Sequence, residues 1–595
     1  MAAVSEALAA AIAHHQAGRL PEAEQVYRQI LAVEPNHADA WHLLGVAAHQ
    51  TGRRELAVQY IGRALELEPN FAEAHSNLGI AFQEQGMLDQ AIACHRRALA
   101  LKPNYAAACS NLANALQVAG DLDDAIACYR QAVERMPDVA EVHYNLGTAL
   151  SAQNKLNEAV ACYHQALALS PDDAAAHNNL ANALKGLEKP GAALDHYRRA
   201  LEINPALAEA HNNLGNILRE QGEIDEAVTH CRRAVELRPD YAEAHRNLGT
   251  ACNDRGELDQ AAKCFRRALE LKPDDAETHR NLSFLLLRQG NFDSGWREYE
   301  WRWKTGQLPR RDFVQPRWDG TPLQERSILL HAEQGLGDTI QFIRYAPLVK
   351  ALGATVFVEC PKGLTTLIAS CPGVDRLFAG GDELPPFDVH APLVSLPGIL
   401  KTSLDTIPGS VPYLFADAAL AAHWRERLAG GPAFQIGIHW RGRGGQGSFR
   451  RRDIPLKLFS TLAQLPGVRL VNLQKGVKQQ ELSVVQSPVP MFDPGQDLDT
   501  SSGAFMDTAA IMVNLDLIIT SDTSIPHLAG ALGVPVWLAL PFASDWRWLL
   551  GRSDSPWYPT MRLFRQKSPG DWKGVFEEIQ KAVDATLVRR PATHR

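Results

Sequence analysis

No stretch of this chain is apolar for long enough to cross a bilayer, which argues against a membrane-spanning protein. A basic excess is missing too: 60 Lys and Arg stand against 68 Asp and Glu over 595 residues, a net charge of −8. That balance lacks the cationic footprint of a nucleic-acid binder. Cysteine is sparse, at nine, and odd in number. Cys94, Cys128 and Cys162 stand 34 residues apart, so they repeat one structural position and form no disulfide framework. Reduced thiols in a cytoplasmic setting are therefore expected. The opening "MAAVSEALAAAIAHHQAGRL" has no basic start and no unbroken apolar core, so no secretory leader is expected there. What remains is an ordinary globular balance, 46% hydrophobic and 22% charged, on a chain long enough for several domains.

What is abundant is repetition. Pro35, Pro69, Pro103, Pro137, Pro171, Pro205, Pro239 and Pro273 keep a 34-residue spacing without a slip. Ala57, Ala91, Ala125, Ala159, Ala193, Ala227 and Ala261 hold a second register, and Gly45, Gly79, Gly147, Gly215 and Gly249 a third. Tyr27, Tyr129, Tyr163, Tyr197, Phe265 and Tyr299 hold a fourth. Two helices and their turns fill such a period, and one pair cannot bury its apolar face alone. Small residues let helices approach, aromatics are expected to fill the space between pairs, and proline stops the second helix. With Trp41, Leu44, Gly45, Ala57, Ala64 and Pro69 in place, the pattern resembles the tetratricopeptide repeat over about residues 4–305. An all-α superhelix of eight repeats and a partial ninth follows from that resemblance, with a repeat domain at 1–305.

Two further ladders run in phase. Asn77, Asn111, Asn145, Asn179, Asn213, Asn247 and Asn281 occupy one position of successive first helices, and His75, His143, His177, His211, His245 and His279 another. The asparagines fit two readings. They can tie repeats together, or line a groove where an amide both donates to and accepts from an extended polypeptide backbone. The second reading is similar to the ladder of the O-GlcNAc transferases, which grips acceptor protein. The histidines read as packing residues. Helix axes about 8–10 Å apart cannot bring one His per repeat to the roughly 2 Å that zinc requires.

After a connector at 306–326 the beat stops and β-branched runs appear. "ILLHA" (328–332), a helix over about 338–352 and "TVFVE" (355–359) make a βαβ unit, with weaker strands at "DRLFA" and "FDVHAPL". A second series starts at "FQIGIHW" and continues through "RLVNL", "LDLIIT" and "PVWLALP". Two Rossmann-like halves, 327–430 and 431–595, fit this order. A ligand would sit at the carboxyl ends of their strands.

Polar residues gather at four such ends. "EQGLGD" offers Gln334, Gly335 and Gly337 for close backbone approach and Asp338 as helix cap or general base. "GIHWRGRGGQGSFRRR" offers His439 and Arg441, with Arg443, Arg450, Arg451 and Arg452 beyond, and guanidinium groups suit a diphosphate. "NLQKG" offers Lys475. "TSDTSIPHLAGALGVP" sets Ser521, Asp522, Thr523, Ser524 and His527 at a helix start, where free N–H groups attract phosphate or sugar oxygens.

"SDTSIPHLAGALGVPVW" and "QGLGDTIQF" resemble the donor-site and Gly-Asp motifs of family 9 glycosyltransferases, over about residues 325–585. The glycine-rich arginine loop departs from that family, so its nucleotide and sugar do not carry over. The resemblance implies an α/β GT-B domain. In it Asp338 acts as base and Asp522, Thr523 and His527 contact the donor. Arg441, Lys475 and the 521–525 helix start would stabilise the leaving diphosphate, and with fixed cations doing so no metal or other cofactor is expected beside the nucleotide-sugar co-substrate. Repeats joined to such a domain resemble bacterial protein glycosyltransferases, including those acting on flagellin. The expectation is transfer to Ser or Thr of an acceptor protein. A scaffold with a decayed domain, or a lipid-linked glycan acceptor, are the alternatives. "DLD" at 497–499 mimics a metal-binding Asp-x-Asp but stands at no convincing strand end.

Overall fold

The computed structural model describes residues 2–309, 311–431, 434–442, 452–495, 498–500 and 503–589. Two compact units divide the chain, Met1–Ile217 and Leu218–Arg595.

Among its described residues the first unit is built of helices and short turns, in pairs such as Ala38–Gln50 with Arg54–Leu67 and Ala140–Ala152 with Leu156–Leu169. Proline ends each pair by acting on the residue before it. Glu34, Glu68 and Lys102 leave helical geometry, with ψ of 81°, 85° and 83°, one step ahead of Pro35, Pro69 and Pro103. The glycine and aromatic registers turn out to be one contact. A Cβ on Gly147 would stand 2.8 Å from the Tyr163 ring, and one on Gly79 would stand 2.6 Å from the His95 ring. The aromatics therefore pack against a glycine inside their own pair, and Tyr27 also clusters with Ala40 and Leu44 of the next pair, so the space they fill lies both within and between pairs.

The second unit begins with the last repeats, ending in helices Ala276–Arg288 and Phe292–Tyr299. Two parallel sheets follow. The first has strands β1 (Ser327–His331), β2 (Thr355–Cys360), β3 (Arg376–Ala379) and β4 (Val389–Pro392), in the order β3-β2-β1-β4. The second has β5 (Phe434–His439), β6 (Val468–Asn472), β7 (Leu517–Ser521), β8 (Val536–Leu540) and β9 (Met561–Arg565), in the order β6-β5-β7-β8-β9. The helix expected over 338–352 is broken. It runs Leu336–Phe342, tightens to a 3-10 turn at Ile343–Tyr345 and resumes at Ala346–Ala351. Pro347 explains the break, since it has no N–H for the Ile343 carbonyl. β9 is an addition to the strands expected from sequence.

One apolar cluster fills the space between these elements, and it starts before the sheets do. Leu287, Phe292, Trp296 and Tyr299 of the last repeat are buried in it with Ile328, Leu330, Phe342, Trp546 and Trp557.

Candidate functional site

Each sheet reverses its direction of growth beside a polar turn. β1 lies between β2 and β4, and β5 between β6 and β7. At such a switch point the two connections leave in opposite directions and open a crevice at the carboxyl ends. The turn after β1 carries Gln334 and Gly335 into helix Leu336–Phe342, which holds Asp338; β5 ends at His439; and the turn after β7 carries Asp522 and Thr523 into helix Ser524–Ala531.

The β1 and β7 turns meet. A Cβ on Gly337 would lie 3.1 Å from His527 Cδ2 and 3.3 Å from Ser524 Cα. His527, on helix Ser524–Ala531, is fixed from behind: Nδ1 lies 2.9 Å from the Tyr558 hydroxyl and the ring stacks on Trp548 at 5.4 Å. Burial, with Arg547 nearby, drives its basicity far down, so the imidazole is neutral. Thr523 caps the helix, its hydroxyl accepting from the Ile525 N–H, and lies 3.5 Å from His439 Nδ1. His439 is buried as well, and burial lowers it to about 3. A Cβ on Gly442 would touch Thr523 Cγ2 at 3.8 Å, so the chain just after β5 runs beside the same turn.

Asp338 caps its own helix through the Gly335 N–H, 3.0 Å from Oδ2, and its Oδ1 accepts from Arg547 Nη2. Arg547 also donates Nε to Gln341 Oε1 at 2.6 Å and Nη1 to Asp545 Oδ1 at 3.0 Å. Burial pushes the Asp338 carboxyl above the usual range against the pull of Arg547. The Asp338 side chain is 22% exposed, so part of it remains open to solvent. Asp522 is raised by burial too, with Arg452 at 3.7 Å. Among the described residues, Asp522 Oδ2 and Ser521 Oγ are buried without a hydrogen-bond partner. Oδ2 is the oxygen that faces Arg452 Nη1, which leaves Ser521 Oγ as a buried polar atom at this strand end with neither hydrogen bond nor ion pair among the described residues, where a polar ligand would bind.

Two predicted cations are engaged elsewhere. Arg441 makes a two-point ion pair with Glu481, at 2.8 and 3.1 Å. Lys475 is exposed, with Nζ 3.4 Å from the Asp499 carbonyl. Asp499 itself accepts from the Thr508 N–H at 3.0 Å and hydroxyl at 2.6 Å, a local capping role. Asp497, Arg443, Arg450 and Arg451 lie outside the described residues. Among the described residues no cluster of His, Cys, Asp or Glu could hold a metal ion.

Three groups escape a reading of the sequence. Arg547 and Asp545 sit just after β8, the same kind of strand end that flagged the other turns. Glu333 follows β1, pairs with Arg302 at 3.0 Å and keeps Oε2 buried and unpartnered among the described residues. Gln334, beside it, bonds the Tyr299 hydroxyl at about 3 Å.

In the repeats, the asparagines tie neighbours together. Asn77 Nδ2 lies 2.8 Å from His42 Nε2, Asn145 reaches Asn114 at 3.5 Å and Asn179 the Tyr144 hydroxyl at 2.9 Å. Asn213 reaches Asn178 at 3.2 Å and Asn182 at 3.1 Å, and Asn281 reaches the Thr250 hydroxyl at 3.3 Å. Asn111 and Asn247 occupy the matching turns of their helices. The histidines cap turns. His75, His143, His177, His211, His245 and His279 each place Nε2 2.8–3.2 Å from the carbonyl of the proline six residues earlier. Trp41 Nε1 does the same to Pro35 at 2.8 Å.

Tetratricopeptide-repeat models match segments that together run through residues 14–79, 72–105, 106–131, 119–154, 147–187, 174–207 and 206–274. Residues 14–274 are tetratricopeptide repeats. Protein FlbA of Caulobacter vibrioides is 28% identical over 323 residues, covering 50% of this chain and 53% of FlbA, so the chain spans about half the length of the curated relative it matches. Solved tetratricopeptide structures are similar over shorter or looser spans. The Cut9–Hcn1 hetero-tetramer of the APC/C matches at 18% identity over 47% of this chain and 55% of that one, with a TM-score of 0.37. YrrB, described as a TPR protein with an unusual peptide-binding site, matches at 26% identity over 31% of this chain and 95% of its own, with a TM-score of 0.27. The chain is thus a tetratricopeptide array followed by parallel α/β sheets, and no helix among the described residues is long and apolar enough to cross a membrane.

Proposed function

We propose that the chain is a cytoplasmic protein O-glycosyltransferase. The donor is a nucleotide-sugar, and the acceptor is a Ser or Thr hydroxyl on a protein recruited by the tetratricopeptide array. Flagellin is the acceptor suggested by the likeness of the layout, repeats joined to such a domain. One observation carries the reading. The Gly335–Asp338 and Ser521–His527 segments touch, and beside that contact stand a base candidate, the arginine that holds it and the buried, unpartnered Ser521 hydroxyl.

In this reading the acceptor oxygen bonds to the anomeric carbon and the bond from that carbon to the phosphate oxygen breaks. The electron pair leaves with the nucleoside diphosphate, and the hydroxyl proton passes to Asp338. Ser521 and Asp522 take sugar hydroxyls, while the N–H groups at the start of helix Ser524–Ala531 and the nearby guanidinium groups meet the diphosphate. Arg441 reaches it on leaving Glu481. The asparagines that tie repeats would also meet the acceptor backbone.

The test is transfer or hydrolysis with a panel of nucleotide-sugars, read by mass spectrometry on the full chain and on Asp338→Asn. Loss of a general base lowers the rate by about 10²–10⁴-fold. Wild-type turnover in Asp338→Asn removes the base assignment, and inertness of the wild type towards every donor removes the transferase reading.

A further inference from the structure

Arg547 is a buried cation engaged at every nitrogen of its fork. Its side chain is 9% exposed, and its fork holds Asp545 from its own turn together with Asp338 and Gln341 from the turn and helix after β1. The guanidinium also lies 4.3 Å over the Trp546 ring. Beside it stands Asp522, paired loosely with Arg452. Three carboxyls thus share two arginines where a doubly charged diphosphate would have to enter.

That arrangement sets a competition. A base held in an ion pair is a weak base, because the guanidinium stabilises the charged form. A diphosphate binds the same planar fork at two points and carries more charge than one carboxylate. If it takes the Nη2 face, Asp338 loses its partner in a site where burial already favours its protonated form, and its affinity for a proton rises.

We infer that Arg547 exchanges Asp338 for the donor's diphosphate, so that donor entry itself releases the base. The inference rests on the transferase reading. The bonds made and broken are those given above, with the electron pair of the broken bond stabilised by Arg547 and the acceptor proton received by the released Asp338.

The test uses the full chain. UDP, GDP, ADP and inorganic pyrophosphate, with the matching monophosphates, are titrated by calorimetry and by tryptophan emission, which reports the guanidinium leaving Trp546. The wild type binds at least one nucleoside diphosphate. Arg547→Gln weakens it by about tenfold or more and leaves the monophosphate unchanged, as loss of a charge-assisted bond requires. Arg547→Lys keeps a cation but cannot span three partners, weakens binding to an intermediate degree, and carries the test if the Gln variant fails to fold. Pyrophosphate binding equal to that of the nucleotide assigns the site to any diphosphate; weaker binding assigns it to the nucleotide. A second readout separates this role from a structural one. The acid limb of kcat/KM, which reports free enzyme, moves to higher pH in the variants, while the acid limb of kcat, which reports the donor complex, stays. Wild-type affinity in either variant, or limbs that move together, overturns the exchange. Wild-type protein that binds none of the diphosphates overturns the transferase reading and the exchange with it.

Discussion

The backbone of Gly337 and the imidazole of His527 meet across the crevice, with 3.1 Å between His527 Cδ2 and the place a Cβ would take on residue 337. The second neighbour of that place is the Ser524 backbone, at 3.3 Å. Neither can yield easily: His527 is held by Tyr558 and Trp548, and Ser524 opens a helix. Gly337→Ala therefore forces the turns apart. We expect a loss of about 1–3 kcal/mol, the usual cost of overpacking, seen in thermal unfolding. Nucleotide binding should weaken at the same time. An unshifted melting curve with unshifted binding would show that the turns move freely past each other.

How far such contacts could be foreseen depends on their range along the chain. The repeats were legible because Pro35 to Pro273 hold one phase, and a phase needs only local counting. The turns at Asp338, His439 and Asp522 were legible because each follows an apolar run, and polar residues there have no core to join. Arg547 was not legible, although its turn follows an apolar run as well, because its partner Asp338 lies 209 residues away. For the same reason the ion pair that Arg441 makes was not foreseen, since Glu481 is 40 residues on and belongs to another element. Glu333 was passed over because only its burial against Arg302 marks it out from Gln334 beside it. The asparagine ladder was legible as a ladder, whereas its repeat-to-repeat bonds depend on how neighbouring helices stack, which spacing alone does not fix.

Glu333 makes stability depend on pH. Burial raises its carboxyl to about 7 from an ordinary 4.5, against the pull of Arg302. The folded chain therefore prefers the protonated form. The stability this contributes is complete below about 4.5 and is lost as pH rises through about 7. The loss is on the order of 3 kcal/mol for a side chain this deeply buried. Melting temperatures measured across that window should fall in the wild type and stay flatter in Glu333→Gln. Parallel curves for the two would mean that Arg302 holds Glu333 ionised throughout.

The last repeat should be inseparable from the α/β sheets. Trp296 packs edge-on to Trp546 at 5.2 Å and to Phe342 at 6.3 Å, in the cluster that also holds Phe292 and Tyr299. Trp296→Ala leaves a cavity under the turn that carries Arg547, at a cost of about 3–5 kcal/mol. A fragment of residues 327–595 loses all three aromatics. It should unfold without a sharp transition in calorimetry, whereas a fragment opening at Ala276, where the repeat's first helix starts, should melt cooperatively. Cooperative melting of the shorter fragment would show the sheets to be self-sufficient.

The histidine ladder tests whether turn-capping, rather than ring chemistry, holds the repeat turns. His75 Nε2 lies 3.0 Å from the Pro69 carbonyl, the geometry that Trp41 Nε1 makes with Pro35 at 2.8 Å. The bond requires a donor at that ring position, so His75 donates from Nε2–H, and the neighbouring proline carbonyl is satisfied whichever ring supplies it. His75→Ala leaves that carbonyl to water and should cost about 1 kcal/mol, the net worth of one such bond. His75→Trp restores an N–H at the same reach and should melt at or above the wild-type temperature, while His75→Phe fills the space without a donor and should melt with the Ala variant. If Phe instead restores full stability, packing of the ring and not the bond to the proline carbonyl holds the turn.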